Sequence, residues 1–496
     1  MFFRILLLML LPAILMAQEK PGQRVLTVTE FIHAMRDCPD SIFVLRDASI
    51  EADPVVDKIY CTNTRNEHDE WTAILRGMDT VTVQKQVWLF NVHFAQRTVL
   101  PLIHFKAYVH FEKITVHGDL FLRGCTFDEM FSNFSLEAYI FGIDACWFKQ
   151  GFYWERIESF RTMFSQNKID ESFNVFNTNT ALNLTISDCL FKIKFIEISS
   201  EKGGEINMSN SVVTGTDSSA YIYLGGSGFF DYMTLVRDTF HCKVLLSNCS
   251  VKERFSVLRC LFEGKVAMQG LDLPEKNTNA RWYQFDDNKL AIATESGMQF
   301  SSKTPLSVES EEDFYSLVKV YFQLLRSYKY NGDDDSYDAC FIEMKDFITK
   351  KSHWNWQQDH SIDNFAEWQL NRFLRIFCDY GVNPGKALWL SIFIIALFGF
   401  FYLIFPEKEL PFDWADLAEQ FFDSKTNTRT RLGILRMVGN QWLTSCGYSM
   451  NAFVTLGYGS HGKGLAQYFA VAEGVIGWFM FSVFSASLIG QILQQG

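Results

Sequence analysis

The segment 441–460, QWLTSCGYSMNAFVTLGYGS, carries the residues whose types and spacing could do chemistry. Gly457 and Gly459 flank Tyr458 within it. Because glycine tolerates positive φ, a strand with this spacing can alternate its backbone twist and point its carbonyls to one side. Carbonyl oxygens arranged in this way can replace the water that a cation sheds, and the Thr455 hydroxyl can add another oxygen layer.

Patterns typical of enzymes are missing from the sequence. It contains no HExxH, GxxxxGK[ST] or GxSxG, and no GxGxxG after a predicted strand. The coil repeats described below have no recurring Asp or Arg ladder, which disfavours a carbohydrate-cleaving β-helix. We therefore expect a protein that is not an enzyme and that has no cofactor, with a permeant cation as its only metal.

Two apolar segments stand on either side of the glycine-containing loop. Residues 387–405 carry no charge, and their 19 residues reach about 29 Å as a helix. Residues 468–492 have an uncharged centre from Gly474 to Gly490. Both predict membrane spans. Residues 1–17 have the basic start, apolar run and small final residue of a signal peptide or N-terminal hydrophobic leader.

Residues 18–304 are strand-like and repetitive. Two alternating apolar residues, then Cys or Ser, then another apolar residue recur six times, with starts separated by 21, 43, 22, 38 and 11 residues. The first three spacings fit multiples of a period near 21 or 22, and the last two suggest a short coil and a half-coil. Such a period predicts a solenoid, here a parallel β-helix with a β-sandwich as the alternative. The repeats are Leu120/Leu122/Cys125/Phe127, Phe141/Ile143/Cys146/Phe148, Leu184/Ile186/Cys189/Phe191, Ile206/Met208/Ser211/Val213, Val244/Leu246/Cys249/Val251 and Phe255/Val257/Cys260/Phe262.

The sequence has 11 cysteines, four of them in one C-x-F frame at Cys125, Cys146, Cys189 and Cys260. An odd total disfavours a complete disulfide framework, and CxxC-like clusters typical of metal sites are missing. We expect these cysteines to be thiols stacked in the core.

Residues 305–380 are predicted to form an α-helical neck. The apolar period changes to 3.6 residues, giving helices over residues 307–330, 336–351 and 362–380. Asn331 and Gly332 would end the first helix, and Asp333–Asp335 would cap the second. The remaining residues, 381–496, then form the membrane domain. Within it, residues 412–422 predict an amphipathic helix on the membrane surface.

Thr455-Leu456-Gly457-Tyr458-Gly459 resembles the selectivity filter of potassium channels, usually Thr-Val-Gly-Tyr-Gly. The order of span, helix-length stretch, motif and second span is similar to the two-span pore domain of the ion-channel superfamily, over about residues 379–495. Residues 380–388 resemble the YGxxPxxxL run of bacterial members that carry pentapeptide-like soluble domains. The resemblance implies a pore helix and filter over about residues 440–460. It also implies potassium selectivity and a homotetramer, since each chain supplies one loop.

The motif departs from that family at its edges. Ser460 stands where the family usually has Asp, Val454 replaces the common second Thr, and Leu456 replaces Val. Losing the acid removes a ring of negative charge at the filter mouth, so a non-selective cation channel stays open as an alternative.

Three residues of the second span have candidate roles. Glu473 could support the filter by bracing the pore helix, or could lie at the headgroup level of the membrane. Gly474 and Gly477 could form a gating hinge, or could allow close packing against the pore helix.

The net charge of −12, without a basic stripe, argues against nucleic acid as a partner. We expect the partners to be the lipid bilayer, further copies of the chain in a homotetramer, and an unknown ligand or protein on the β-helix. The expected location is the bacterial inner membrane. The side of the β-helix stays open, because the leader favours export and reduced thiols favour the cytosol.

Two functions follow from these observations. The first is a tetrameric potassium-selective channel subunit with the β-helix as a sensing or assembly domain. The second is a membrane-anchored β-helix that binds a partner and whose C-terminal region only oligomerises.

Overall fold

The computed structural model describes residues 24–53, 57, 78–178, 180–226, 228–274, 276–286, 289–294, 299–405, 414–422, 428–455 and 465–495. The predicted leader, residues 1–17, lies outside the described residues. The chain divides into two compact units, Met1–Cys340 and Phe341–Gly496.

The first unit is a β-solenoid of about 11 turns, which confirms the predicted parallel β-helix. Its strands pair in parallel, except that β29 and β30 pair antiparallel. The strands are β1 (Arg24–Thr27), β2 (Ile42–Arg46), β3 (Ala48–Glu51), β4 (Val81–Val83), β5 (Gln86–Phe90), β6 (His93–Phe94), β7 (Thr98–Pro101), β8 (Ile103–Phe105), β9 (Val109–Val116), β10 (Asp119–Arg123), β11 (Thr126–Phe127), β12 (Phe131–Asp144), β13 (Trp147–Phe148), β14 (Phe152–Ser165), β15 (Lys168–Asn177), β16 (Leu182–Ser187), β17 (Leu190–Ser200), β18 (Gly204–Ser209), β19 (Val212–Gly215), β20 (Tyr221–Gly225), β21 (Phe229–Val236), β22 (Thr239–Phe240), β23 (Lys243–Ser247), β24 (Cys249–Leu258), β25 (Leu261–Phe262), β26 (Val266–Ala267), β27 (Leu271–Asp272), β28 (Thr278–Ala280), β29 (Leu290–Ala293) and β30 (Gln299–Ser301).

In the part of the chain that the structure describes, one α-helix follows β1 and the other α-helices follow β30. The helices are α1 (Val28–Asp37), α2 (Glu311–Asn331), α3 (Asp334–Asp359), α4 (Ile362–Cys378), α5 (Pro384–Ile404), α6 (Trp414–Phe422), α7 (Thr428–Thr455) and α8 (Leu465–Gln495). The boundary between the two units falls within α3.

Helix α1 buries an apolar side against the first strands of the solenoid. Phe31 is fully buried, and its ring lies 6.2 Å from the rings of Phe43 and Phe94. Thr27 and Glu30 form a capping box that starts the helix. This region was predicted to be strand-like, although the Thr-x-x-Glu spacing is a signal for a helix start.

Phenylalanine stacks join neighbouring coils of the solenoid core. The rings of Phe105, Phe127 and Phe148 stack at 4.9 Å and 4.6 Å, with interplanar angles of 12° and 4°. Equivalent positions on successive parallel strands lie one strand spacing apart, about 4.8 Å, so flat rings can stack without a gap. The abundance of Phe in the sequence is therefore explained in part by this column.

A column of small and polar residues marks one corner of each coil. Its members occupy equivalent positions in seven successive coils: Cys125, Cys146, Asn167, Cys189, Ser211, Asp238 and Cys260. Each of them follows a residue with positive φ: Gly124, Ala145, Gln166, Asp188, Asn210, Arg237 or Arg259. We call these residues the corner column.

Hydrogen bonds run along the corner column from coil to coil. Cys146 Sγ accepts from the backbone N–H of Cys125 (3.3 Å), and Asn167 Oδ1 accepts from that of Cys146 (2.8 Å). Ser211 Oγ accepts from the backbone N–H of Cys189 (3.2 Å). The Asn167 side-chain amide also donates to the Ile143 carbonyl at 2.8 Å. Each side chain thus satisfies a buried backbone group of the preceding coil.

Six described cysteines of the solenoid core are thiols, as expected. Those at positions 125, 146, 189, 242, 249 and 260 are buried and free. Burial raises the pKa of Cys189 to about 12, so this thiol stays protonated at neutral pH.

The register of the parallel strands corrects the predicted spacing of the last repeats. Successive positions run Phe141, Thr162, Leu184 and Ile206 at 21 or 22 residues. They continue through Met233 and Phe255. The short coil and half-coil were therefore wrong. One coil has Asn167 at the corner position and another has Asp238. A pattern that requires Cys or Ser at this position therefore did not detect these two coils. The Val244 repeat lies on another side of the solenoid, paired with Ile222 and Val266.

The helices after the solenoid follow the predicted stop and start. Gly332 ends α2 in the left-handed conformation (φ 65°), which glycine adopts without steric cost. Asp333 Oδ1 accepts from the Ser336 backbone N–H at 3.2 Å. Helix α3 extends to Asp359, beyond the predicted end near residue 351, and no proline or glycine interrupts that stretch.

We expect Asn167→Leu to destabilise the solenoid by about 2–4 kcal/mol, because it leaves the Cys146 N–H and the Ile143 carbonyl buried without partners. The measurement is urea denaturation of the full chain in detergent, followed by circular dichroism of the β-structure. Asn167→Cys is the matched control, since Cys occupies the same position in neighbouring coils and should cost less. Equal losses in both variants would contradict this role of the amide.

Asp238 makes solenoid stability depend on pH. Its carboxylate is buried and accepts from the backbone N–H groups of Ser211 (2.8 Å) and Val236 (3.0 Å). Burial raises its pKa from 3.8 to about 7, against the opposite effect of these two hydrogen bonds. A raised pKa means that the folded state binds the proton more tightly than the unfolded state, so stability falls as pH rises from about 4 through about 7.

We expect the solenoid to be less stable at pH 8 than at pH 5, by up to about 2.5 kcal/mol. Asp238→Asn should flatten this profile, because the amide does not titrate. Asp188→Asn, an exposed carboxylate in the same corner region, should leave the profile unchanged. Urea denaturation across pH 4–8 measures all three proteins. A wild-type profile that rises with pH over this window would contradict the assignment.

Candidate functional site

Two helices of the second unit, Pro384–Ile404 and the Ala466–Ala486 part of α8, could cross a membrane by length and composition. They overlap the predicted spans, 387–405 and 468–492. Asn383 caps the first helix by accepting from the Lys386 backbone N–H at 3.1 Å, and Pro384 starts it. Large apolar side chains on both helices point away from this chain, with Trp389 73% and Phe481 66% exposed.

Helices α5 and α8 pack side by side in opposite directions. The end of α5 meets the start of α8, where the Phe401 and Phe469 rings stack at 5.6 Å. The start of α5 belongs to one buried cluster with the later part of α8, through Ala387 and Met480. Phe453, near the end of α7, belongs to the same cluster.

Helix α7 packs against both apolar helices through close backbone contacts. A Cβ placed on Gly399 of α5 would lie 2.6 Å from Cys446 Sγ and 3.1 Å from Cys446 Cα. A Cβ placed on Gly477 of α8 would lie 2.2 Å from the Phe453 carbonyl oxygen. Glycine at both positions therefore lets the helices approach to backbone contact.

Helix α7 ends level with the middle of its two neighbours. Ser449 contacts the Ile395 carbonyl near the midpoint of α5, and Phe453 contacts Gly477 near the midpoint of the apolar part of α8. The last residue of the helix is Thr455. The helix begins at Thr428, well before the predicted start near residue 440. Gly433 and Gly439 have open space around them and do not break it.

Glu473 joins all three helices. Its side chain is fully buried. The Tyr402 hydroxyl of α5 donates to Glu473 Oε2 at 2.8 Å, and Ser449 Oγ of α7 bonds to Glu473 Oε1. Ser449 Oγ also lies 2.8 Å from the Ile395 carbonyl oxygen. These contacts join Glu473 to α7, and its support of a filter stays a prediction.

Sequence reasoning identified Glu473 but not its partners. Tyr402 is the single tyrosine in the first apolar segment, whereas Ser449 is one of seven hydroxyl residues in α7. A polar side chain in an apolar helix needs a partner, so Tyr402 carried a signal in the sequence, but that signal does not show which helix it meets.

The other predicted site residues fall into three groups. Thr455 and Val454 form the end of α7, where the Thr455 hydroxyl donates to the Asn451 carbonyl at 2.7 Å and Val454 is exposed. Residues 456–460, which include Leu456, Gly457, Tyr458, Gly459 and Ser460, lie outside the described residues. Gly474 is buried, and Gly477 makes the close contact with Phe453 described above. A hinge at Gly474 and Gly477 stays a prediction.

A network of charges lies where α4 leads into α5. Asp379 Oδ1 binds Lys386 Nζ at 2.8 Å and also binds Arg375. Arg375 Nε reaches Asp346 of α3 at 3.0 Å, and the Tyr380 hydroxyl donates to the same carboxylate at 2.9 Å. Burial, with the neighbouring Asp346, raises the pKa of Tyr380. This network joins α3, α4 and the start of the first apolar helix.

Comparisons of the chain with protein-family models, with curated proteins and with solved structures give no match.

We expect Gly477→Ala to separate α7 from α8. The added Cβ would overlap a backbone oxygen of α7, and this overlap can be relieved only if one of the helices moves. The thermal midpoint of the helical signal in detergent should fall. Gly447→Ala on α7 is the matched control, since nothing lies within 4 Å of its Cβ position, and it should be neutral or stabilising. Equal midpoints for the two variants would contradict the packing described here.

Proposed function

We propose that the chain is a subunit of a tetrameric cation channel that conducts potassium through the loop beginning at Thr455. The observation that carries this proposal is the position of α7. The helix enters between two apolar helices, ends level with their middles, and ends at the first residue of the Thr-Leu-Gly-Tyr-Gly motif. Irregular backbone is tolerated at membrane depth only where protein or water covers it, and a helix of this kind provides such cover.

The end of α7 also supports the proposal electrostatically. A helix C-terminus carries a partial negative charge from its last carbonyl groups, which favours a cation beyond it. The Glu473 contacts with Ser449 and Tyr402 hold α7 against both neighbours, so the end of the helix has a fixed position. Four chains arranged around an axis would direct four such ends and four loops at one ion.

The two glycines of the motif favour a potassium-selective loop, whereas the residues on either side of the motif favour weaker selectivity for potassium over sodium. Ser460 and Val454 stand where the resembled family usually has Asp and Thr. A non-selective cation channel is therefore the second candidate. In both cases the solenoid acts as a sensing or assembly domain, and the protein belongs to the bacterial inner membrane.

The test is ion flux through the purified chain in liposomes, loaded first with potassium and then with sodium. We expect potassium flux without sodium flux, abolished by Gly457→Asp because a side chain would block the proposed filter loop and would disfavour the positive φ that such a loop requires. Gly433→Asp is the matched control, since that glycine lies on α7 with open space around it.

Each other outcome changes the assignment. Flux of both ions keeps the pore and replaces potassium selectivity with the non-selective candidate. Flux that survives in Gly457→Asp contradicts the role of the loop. Wild-type protein that inserts and passes neither ion favours the membrane-anchored binding protein instead.

A further inference from the structure

A column of alternating aromatic and acidic residues crosses the outer surface of the solenoid. Six strands in register, β2, β5, β9, β12, β14 and β15, place one residue each in it. The members, in order along the solenoid, are Arg46, Phe90, Glu112, Phe134, Glu155 and Phe176. We call this set the Phe/Glu column.

These side chains face outward. Trp154 and Val175, which neighbour column residues along their strands, are fully buried, and side chains alternate between the two faces of a strand. Neighbouring rings extend the column sideways, since His110 lies 5.4 Å from Phe134 and Tyr153 lies 5.3 Å from it. The surface is thus aromatic over several coils, with a carboxylate at every second rung.

The chain itself places cations on this column. The Arg46 guanidinium lies over the Phe90 ring at 4.5 Å from its centroid. Arg156 Nε lies 3.5 Å from Glu155 Oε1. A cation held against an aromatic face or a carboxylate is the interaction that these residue types favour.

The basic side chain that contacts Glu112 is a histidine. His110 Nε2 lies 3.5 Å from Glu112 Oε2, and His110 Nδ1 lies 2.9 Å from Ser132 Oγ. Burial lowers the pKa of His110, so the imidazole is neutral at pH 7. Ser132 is only 2% exposed, so this group orients His110 and offers no accessible nucleophile.

A buried acceptor on the same face points to a ligand that donates hydrogen bonds. Asn174 lies between Phe173 and Val175, which point inward, so its side chain is on the outer face. It is 8% exposed, and its Oδ1 has no hydrogen-bond partner among the described residues. A buried amide oxygen without a partner is costly, and a ligand N–H would satisfy it.

We propose that this face binds an extended peptide segment that carries lysine or arginine side chains. Ammonium or guanidinium groups would pair with Glu112 and Glu155, which lie about 10 Å apart at two strand spacings. The side-chain stems would lie on Phe134 and Phe176, and a peptide N–H would reach Asn174. The net charge of −12 also favours a cationic partner. This inference rests on the solenoid alone and does not depend on the proposed pore.

The test is fluorescence anisotropy with a dye-labelled Lys-Ala-Lys-Ala-Lys-Ala-Lys peptide, added to the full chain in non-ionic detergent. The matched peptide has glutamine at each lysine position. We expect saturable binding of the lysine peptide only, weakened by added salt. The double variant Glu112→Gln/Glu155→Gln should weaken binding by about tenfold or more, because charge-assisted contacts are lost.

Two further variants make the result specific. Phe134→Leu keeps an apolar side chain but removes the ring face, and it should weaken binding about threefold or more. Glu51→Gln/Glu253→Gln removes two exposed carboxylates outside the column and should bind as wild type does. The proposal is overturned if the two peptides bind alike, if neither binds, or if the control pair weakens binding as much as the column pair.

Discussion

Buried polar groups must find hydrogen-bond partners inside the protein, and both units of this chain are arranged around that requirement. At each position of the corner column the backbone turns through a residue with positive φ, and buried backbone N–H groups there need partners. The corner column supplies the partners, with thiol, amide, hydroxyl or carboxylate used interchangeably at one position. Because each side chain serves the preceding coil, the coils are stabilised as neighbours in a stack.

An unpartnered polar group costs more free energy among the apolar helices. The Glu473 carboxyl group would be costly there without partners, and Tyr402 of α5 and Ser449 of α7 both form hydrogen bonds with it. Gly399 and Gly477 then allow α7 to reach backbone contact with α5 and α8. One polar side chain and two glycines thus fix where α7 ends, and the position of that end is the basis of the proposed function.

The sequence predicted much of the fold because its signals were local. Alternating apolar residues and a regular period indicated the solenoid, uncharged runs indicated the two apolar helices, and Gly332 with Asp333 marked a helix stop and start. The coils carrying Asn167 and Asp238 were missed because hydrogen-bonding geometry, and not residue type, defines the corner column. Helix α1 was missed because it is only ten residues long and the alternating strand pattern that follows it dominates the region. The partners of Glu473 were not predictable, since they come from two other helices whose approach depends on tertiary packing.

The most direct test of the proposed assembly is the mass of the purified chain in detergent, measured by native mass spectrometry. Each chain contributes one loop, so an ion pathway lined by carbonyl oxygens on all sides needs four chains around one axis. We expect particles that contain four copies. Particles that contain one or two copies under conditions where α5, α7 and α8 stay folded would contradict it.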